Sequence, residues 1–320
     1  MKLVTAFLRL IRWPNLVFIV VTQLLFCYGI ASSLITPPSN DSLLRHNLQY
    51  LVLLSLSSVL IAAAGYIIND YFDLNIDRVN KPDKLVVEKL IKRRWAIIWH
   101  WGLSLAGILI GFYIAVKQGK WTIAFANTGC VVLLWFYSTT FKKKLLIGNI
   151  IISLLTAWVI LVFFIYLAGF VSLIKFGPVV IYQFDVSRLF KLSVLYAGFA
   201  FIISLVREVV KDMEDMEGDA KYGCRTMPIV WGVPASKVFV AVWIVVLTGA
   251  LVVIQFYALH LHWWWSVLYC VITIIAPLLW LLRQLYRAQQ PKDYHRLSTV
   301  VKLVMLAGIL SMLFFRLYAG

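Results

Sequence analysis

The chain of 320 residues is 62% hydrophobic and carries 30 Lys and Arg against 14 Asp and Glu, a formal charge of +16. A mean hydropathy of +0.88 excludes an ordinary soluble domain. The basic excess lies in short segments between apolar runs, which points to membrane topology rather than nucleic acid, and Cys27, Cys130, Cys224 and Cys270 lack the spacing of a disulfide frame or metal cluster.

Nine runs are long enough to cross a bilayer: residues 14–35, 48–68, 95–117, 121–140, 145–169, 192–208, 237–259, 263–282 and 299–317. The first follows Arg9, Arg12 and Pro14 and has no obvious small-residue cleavage site, so it is expected to belong to the mature protein. Lipid offers no partner to an unpaired backbone group, so the spans are expected to be helices. The expected fold class is an all-α membrane protein of nine transmembrane helices, one domain over residues 1–320. No required protein partner is evident.

Nine spans put alternate connections on opposite sides. The side of the N-terminus carries 23 of the 30 Lys and Arg, and the other side 7, from Arg45 to Arg316. The positive-inside rule therefore places the N-terminus cytoplasmic and the C-terminus outside, in a cytoplasmic (inner) membrane. His260, His262 and the run Trp263-Trp264-Trp265 fall on the far side and read as interfacial anchors.

Two acidic clusters close apolar runs on the basic side. Asn69-Asp70-Tyr71-Phe72-Asp73 continues to Asp77, and Asp212, Asp215 and Asp219 repeat the same spacing 142 residues later. In a helix, i, i+3 and i+7 share one face. Six carboxylates on two such faces repel unless cations sit among them. A hard cation suits them, Mg²⁺ first with Mn²⁺ as substitute, because it takes few carboxylates and shares substrate phosphates. An acid at the hydrocarbon centre costs roughly 2.5–3.5 kcal/mol, so the clusters are expected at the rim or around a wet cavity.

Basic residues accompany both clusters: Arg78, Lys81 and Lys84 after the first, Arg207, Lys211, Lys221 and Arg225 around the second, with Tyr137 and Lys142 to Lys144 between. Many of these charges serve topology. Carboxylate-held metal with guanidinium and ammonium donors is also a way to hold a diphosphate, and such a site favours ionisation of the substrate's carbon–oxygen bond. Aromatic residues make 15% of the chain, and Tyr66, Tyr71, Phe72, Trp135, Phe136 and Tyr137 flank the clusters. Those lining a cavity could shield a carbocation with their π faces.

The segment from Gly65 to Asp77 resembles the first signature of the UbiA superfamily of intramembrane prenyltransferases. Arg207 to Asp219, followed by Gly223, Arg225, Thr226 and Pro228, resembles the second, and Arg12-Trp13-Pro14-Asn15 and Tyr137 to Lys142 with Gly148-Asn149 are smaller matches. The resemblance covers the whole chain and implies a nine-helix bundle with a central, lipid-open cavity. It implies catalysis at Asn69, Asp70, Asp73, Asp212 and Asp215, with Asp77 and Asp219 completing the Mg²⁺ ligands. Asn15, Arg78, Tyr137, Lys142 and Lys211 are the implied substrate-binding residues. Lys84 stands where the family places an arginine and is expected to contact the diphosphate as a point charge.

The implied substrates are a polyprenyl diphosphate and a lipid or aromatic acceptor. Asp70 to Asp73, Ile76-Asp77 and Asn80-Lys81-Pro82 look most like members that geranylgeranylate geranylgeranylglyceryl phosphate, although Lys84 to Lys89 replaces their usual Arg-Pro and Ser-Gly. An aromatic quinone precursor, of hydroxybenzoate or dihydroxynaphthoate type, is the alternative acceptor. A transporter using buried acids is the alternative from another class.

Overall fold

The computed structural model describes residues 2–36, 47–82, 85–174 and 183–319; Lys84 lies outside them. Among the described residues, nine helices are long and apolar enough to cross a membrane. They are, in order, span 1 (Trp13–Leu34), span 2 (Leu48–Asn80), span 3 (Arg93–Gln118), span 4 (Trp121–Thr139) and span 5 (Ile147–Gly169). Span 6 (Val186–Glu214), span 7 (Gly232–His260), span 8 (Trp264–Arg287) and span 9 (Pro291–Tyr318) follow. The chain is an integral membrane protein of all-α class. A two-residue antiparallel pair, Ile35–Thr36 with Gln183–Phe184, is the β pairing of the described residues.

Local chemistry sets the helix ends. Pro14 sits in the first turn of span 1, where its missing N–H leaves no bond unmade. Gly119 takes the left-handed conformation (φ 69°) that turns span 3 into span 4 across two residues. Gln290 and Asp293 form a reciprocal capping box at the start of span 9. In span 8 a π-helical turn, Val271–Ile275, precedes Pro277 and accommodates a proline inside a membrane helix.

Several spans run further than their apolar cores predict, and in two of them the extension carries the acids. Span 2 continues to Asn80 rather than residue 68, and span 6 covers 186–214 rather than 192–208. Helical backbone geometry persists where the side chains turn polar, so Asp70, Asp73, Asp77 and Asp212 stand on the spans themselves.

Spans 1, 2, 4, 5, 6 and 9 surround a cavity, and spans 3, 7 and 8 pack outside them. Phe26, Ile30, Leu54, Phe163, Tyr166, Leu189 and Met312 are buried in one apolar cluster at the end away from the acids. Leu51 and Asp70 are separated by 19 residues of helix, about 28 Å, so this cluster seals the far end. A second cluster, including Val206, Val209, Leu278 and Val301, joins span 6 to spans 7, 8 and 9. Small residues let the backbones approach: a Cβ on Gly29 would strike the Met312 carbonyl, and one on Gly308 the Phe199 ring.

Candidate active site

Asp70, Asp73 and Asp77 all stand on span 2 and line the mouth of the cavity. Each of the first two meets a partner from elsewhere in the chain. Arg12 Nη2 lies 2.6 Å from Asp70 Oδ1, and its guanidinium stands over the Tyr66 ring at 5.2 Å. Arg12 adopts φ 50°, ψ 52°, the left-handed turn that swings the chain from the helix Lys2–Leu10 into span 1. That conformation is uncommon outside glycine, asparagine and aspartate; here the ion pair and the ring hold it. The Lys142 ammonium donates to Asp73 Oδ1, and Asn69 Nδ2 donates to Asp73 Oδ2 at 2.8 Å.

The second cluster is built differently, although its spacing is the same. Span 6 ends at Glu214, Asp215 leaves helical geometry with ψ 9°, and Asp219 belongs to the short helix Met216–Lys221. The expectation of three carboxylates on one continuous helix face therefore holds for the first cluster and is corrected for the second. The physical reason lies on span 2. Asn80 Nδ2 donates to the Asp215 carbonyl at 2.9 Å, and Asn80 Oδ1 accepts the Gly218 N–H at 2.8 Å. One side-chain amide thus satisfies both backbone groups that the break exposes. Asn149 Nδ2 donates to Asp212 Oδ2 at 2.8 Å, and Lys81 Nζ stands 2.6 Å from Asp215 Oδ2.

The two clusters act on the same charges. Burial opposes the Lys142 ammonium, but Asp73, Asp219 and Asp77 more than compensate, and its pKa is raised. Asp219 is pushed up to about 6, first by burial and then by Asp215 and Asp73, with Lys142 and Lys81 acting against the shift. Lys142 therefore sits electrostatically between the two sets of acids.

Deeper on span 6, Glu208 is bracketed by Arg207 Nη1 at 3.0 Å and Lys211 Nζ at 3.7 Å. Lys302 Nζ on span 9 donates to Asn15 Oδ1 on span 1 at 2.7 Å. His295 Nδ1 meets Glu214 Oε1 at 2.8 Å at the rim.

The cavity measures about 870 Å³, within the roughly 300–1,000 Å³ of ligand sites. Of the residues predicted from sequence, Asn15, Asn69, Asp70, Asp73, Asp77, Tyr137, Lys142, Lys211, Asp212, Asp215 and Asp219 all line it. Arg78 does not: it is half exposed and turned to Glu88, 2.6 Å away. Away from the acids the walls are largely apolar, with Ile61, Leu134, Leu155, Val159 and Ile203, among which Arg207, Lys302, Ser58 and Asn127 are set.

Among the described residues, no three His, Cys, Asp or Glu side chains converge into a ready-made metal cage. Mg²⁺ rarely needs one, because it keeps waters and takes substrate phosphate oxygens beside one or two carboxylates. Asn69 Oδ1 is buried with no hydrogen-bond partner, a hard oxygen left over beside Asp73. The donor set, carboxylates with one spare amide oxygen, fits a hard cation.

The model of the UbiA prenyltransferase family matches residues 24–306, which contain both acidic clusters. The chain belongs to the UbiA prenyltransferase family. It is 29% identical over 273 residues to digeranylgeranylglyceryl phosphate synthase of Methanosphaera stadtmanae, covering 84% of this chain and 89% of that one. The synthase of the same name from Methanothermobacter thermautotrophicus is 31% identical over 76% of each chain. Among solved structures, a digeranylgeranylglyceryl phosphate synthase superposes with a TM-score of 0.57 at 24% identity, covering 98% of this chain and 99% of that one. A UbiA homologue from Archaeoglobus fulgidus bound to DMAPP and Mg²⁺ gives 0.57 at 17% identity, over 96% and 98%. These structures share the fold.

In this UbiA prenyltransferase, the contacts of several residues that shape the site are not given by spacing alone. Asn80, Asn149 and Lys81 each tether one of the second cluster's aspartates or its break. Their signal is position: a polar residue closing or opening an apolar helix, opposite a carboxylate it can reach. Arg207, Glu208 and Lys302 stand inside spans, and charge within a membrane helix is the cue that marks them.

Proposed function

We propose that this prenyltransferase transfers a geranylgeranyl-type group from its diphosphate to geranylgeranylglyceryl phosphate, in membrane lipid biosynthesis. One observation carries the reading: two acidic clusters, each tied to basic residues, face the mouth of a cavity whose depth is apolar. The relatives named digeranylgeranylglyceryl phosphate synthase support the acceptor.

In this reading the diphosphate sits between the clusters and the prenyl chain runs down among Ile61, Leu134 and Val159. Asp70, Asp73 and Asn69 on one side, and Asp212 and Asp215 on the other, would hold Mg²⁺ or Mn²⁺, with Asp77 and Asp219 completing the sets. Bound there, the metal would neutralise the diphosphate and favour its departure. Lys142, Lys81 and Lys211 supply ammonium donors to the remaining oxygens, and Tyr137 presents its hydroxyl and ring. The carbon–oxygen bond breaks with its electron pair leaving on the diphosphate. The acceptor hydroxyl oxygen then bonds to the allylic carbon and passes its proton to the departed diphosphate. The enclosing apolar walls keep water from the carbocation.

The test is direct. Purified protein is incubated with geranylgeranyl diphosphate, Mg²⁺ and a panel of acceptors, and products are identified by mass. Digeranylgeranylglyceryl phosphate as the main product supports the reading; a prenylated aromatic acid alone would replace it.

A further inference from the structure

Two cations inside spans, Arg207 and Lys302, line the cavity beside the aspartates' own basic partners. Arg207 stands five residues before Asp212 on span 6, about 7 Å deeper along the helix. Lys302 stands eleven residues into span 9, about 16 Å from Pro291. Both line the cavity with Arg12 and Lys211.

Their partners do not balance them. Asp70 faces Arg12, and Glu208 is shared between Arg207 and Lys211. Lys302 meets the neutral oxygen of Asn15 and the face of Phe18, 5.2 Å from the ring centre. Arg207 Nε is buried and makes no hydrogen bond. Among the described residues no carboxylate pairs with Lys302, and Arg207 shares Glu208 with Lys211. Charge inside a membrane span is costly and is functional by default. A phosphate monoester carries about −1.5 to −2 at neutral pH, whereas a carboxylate carries −1. The excess matches the phosphate.

We infer that Lys302 and Arg207 form the acceptor's phosphate-monoester site, with Arg207 one to two helical turns below Asp212. This rests on the acceptor reading given above and adds its specificity determinants. The diphosphate and the acceptor phosphate then occupy separate cation groups, the first served by Lys142 and Lys81, the second by Lys302 and Arg207. Asn15 orients the Lys302 ammonium from span 1, so the site also joins the first span to the last.

The experiment uses the full chain in phosphatidylcholine vesicles with Mg²⁺ and geranylgeranyl diphosphate. The acceptors are geranylgeranylglyceryl phosphate and its dephosphorylated alcohol. The wild type should favour the phosphate by at least tenfold in kcat/KM. Lys302→Gln should lose roughly tenfold to hundredfold of that preference, through KM for the acceptor, with KM for the prenyl diphosphate within about twofold. Lys302→Arg should restore most of the preference, which separates charge from a folding defect. A Lys302→Gln enzyme that keeps the preference, or whose defect lies in KM for the prenyl diphosphate, would overturn the inference alone. A wild type that prenylates neither acceptor would overturn the acceptor reading and this site with it.

Discussion

Asn80 and Gly218 pack so closely that a Cβ on Gly218 would lie 2.5 Å from Asn80 Oδ1. The contact places span 2 against the break after span 6, and with it the first acidic cluster against the second. Gly218→Ala should push Asn80 away and cost about 1–3 kcal/mol of stability, the usual range for overpacking. Asn80→Ala should leave the Gly218 N–H without its side-chain acceptor and the Asp215 carbonyl with only the Asp219 N–H. Both variants should need more Mg²⁺ for half-maximal turnover. Thermal unfolding in detergent together with a Mg²⁺ titration checks this, and unchanged Mg²⁺ dependence in both would show that the contact does not align the clusters.

Lysine and arginine at the mouth are predicted to differ in kind. Lys142 and Lys81 reach aspartates inside the cavity, whereas Arg78 is turned to Glu88. Lys142→Met and Lys81→Met should each raise KM for the prenyl diphosphate about tenfold or more, the value of a charge-assisted contact. Arg78→Gln should change it by less than about threefold, as expected for an exposed ion pair worth roughly 0–1 kcal/mol. Steady-state kinetics with saturating acceptor decides, and an Arg78→Gln effect as large as that of Lys142→Met would move Arg78 into the diphosphate site.

Chelation should abolish turnover and added Mg²⁺ should restore it, with Mn²⁺ able to substitute. Asp70→Ala and Asp212→Ala should each lower turnover at least about a hundredfold, on the scale of losing one electrostatic stabiliser of the transition state. Both residues lie near the rim, so the variants are expected to remain inserted. Near-normal rates in either variant would refute the paired metal sites.

Membrane orientation is open to a test independent of chemistry. Reporter fusions after Asn80, Lys143, Cys224 and Lys292 should report cytoplasm, and those at Arg45, Lys120, Asp185 and His262 the outside. A fusion after Asn80 that reports outside would invert the arrangement, because the basic bias is too large to be read both ways.

The spans were legible because lipid permits few backbone solutions, so apolar length alone announces a helix. The first cluster was legible too, since Asp70, Asp73 and Asp77 keep to one helix. The second was not. Its spacing is identical, yet its geometry depends on Asn80, more than 130 residues earlier in the chain. Lys302 was counted only with the charges that set topology, because a sequence reports a charge without reporting which way a helix turns it. The partner of Arg78 was hidden for the same reason: Glu88 lies ten residues on, across a turn.

The seam between the first and last spans has a consequence for biogenesis. Lys302 bonds Asn15 at 2.7 Å, Arg316 Nη1 bonds Ser32 Oγ at 2.9 Å, and Gly29 admits the Met312 backbone. The wall of the cavity is therefore completed by span 9, which is made after spans 1 to 8. Until it arrives, the polar faces of spans 1, 2 and 6 look toward lipid through a gap one helix wide. Nascent chains halted after span 8 should be substrates for membrane quality control, with Arg12, Arg207 and Glu208 as the exposed degradation signal.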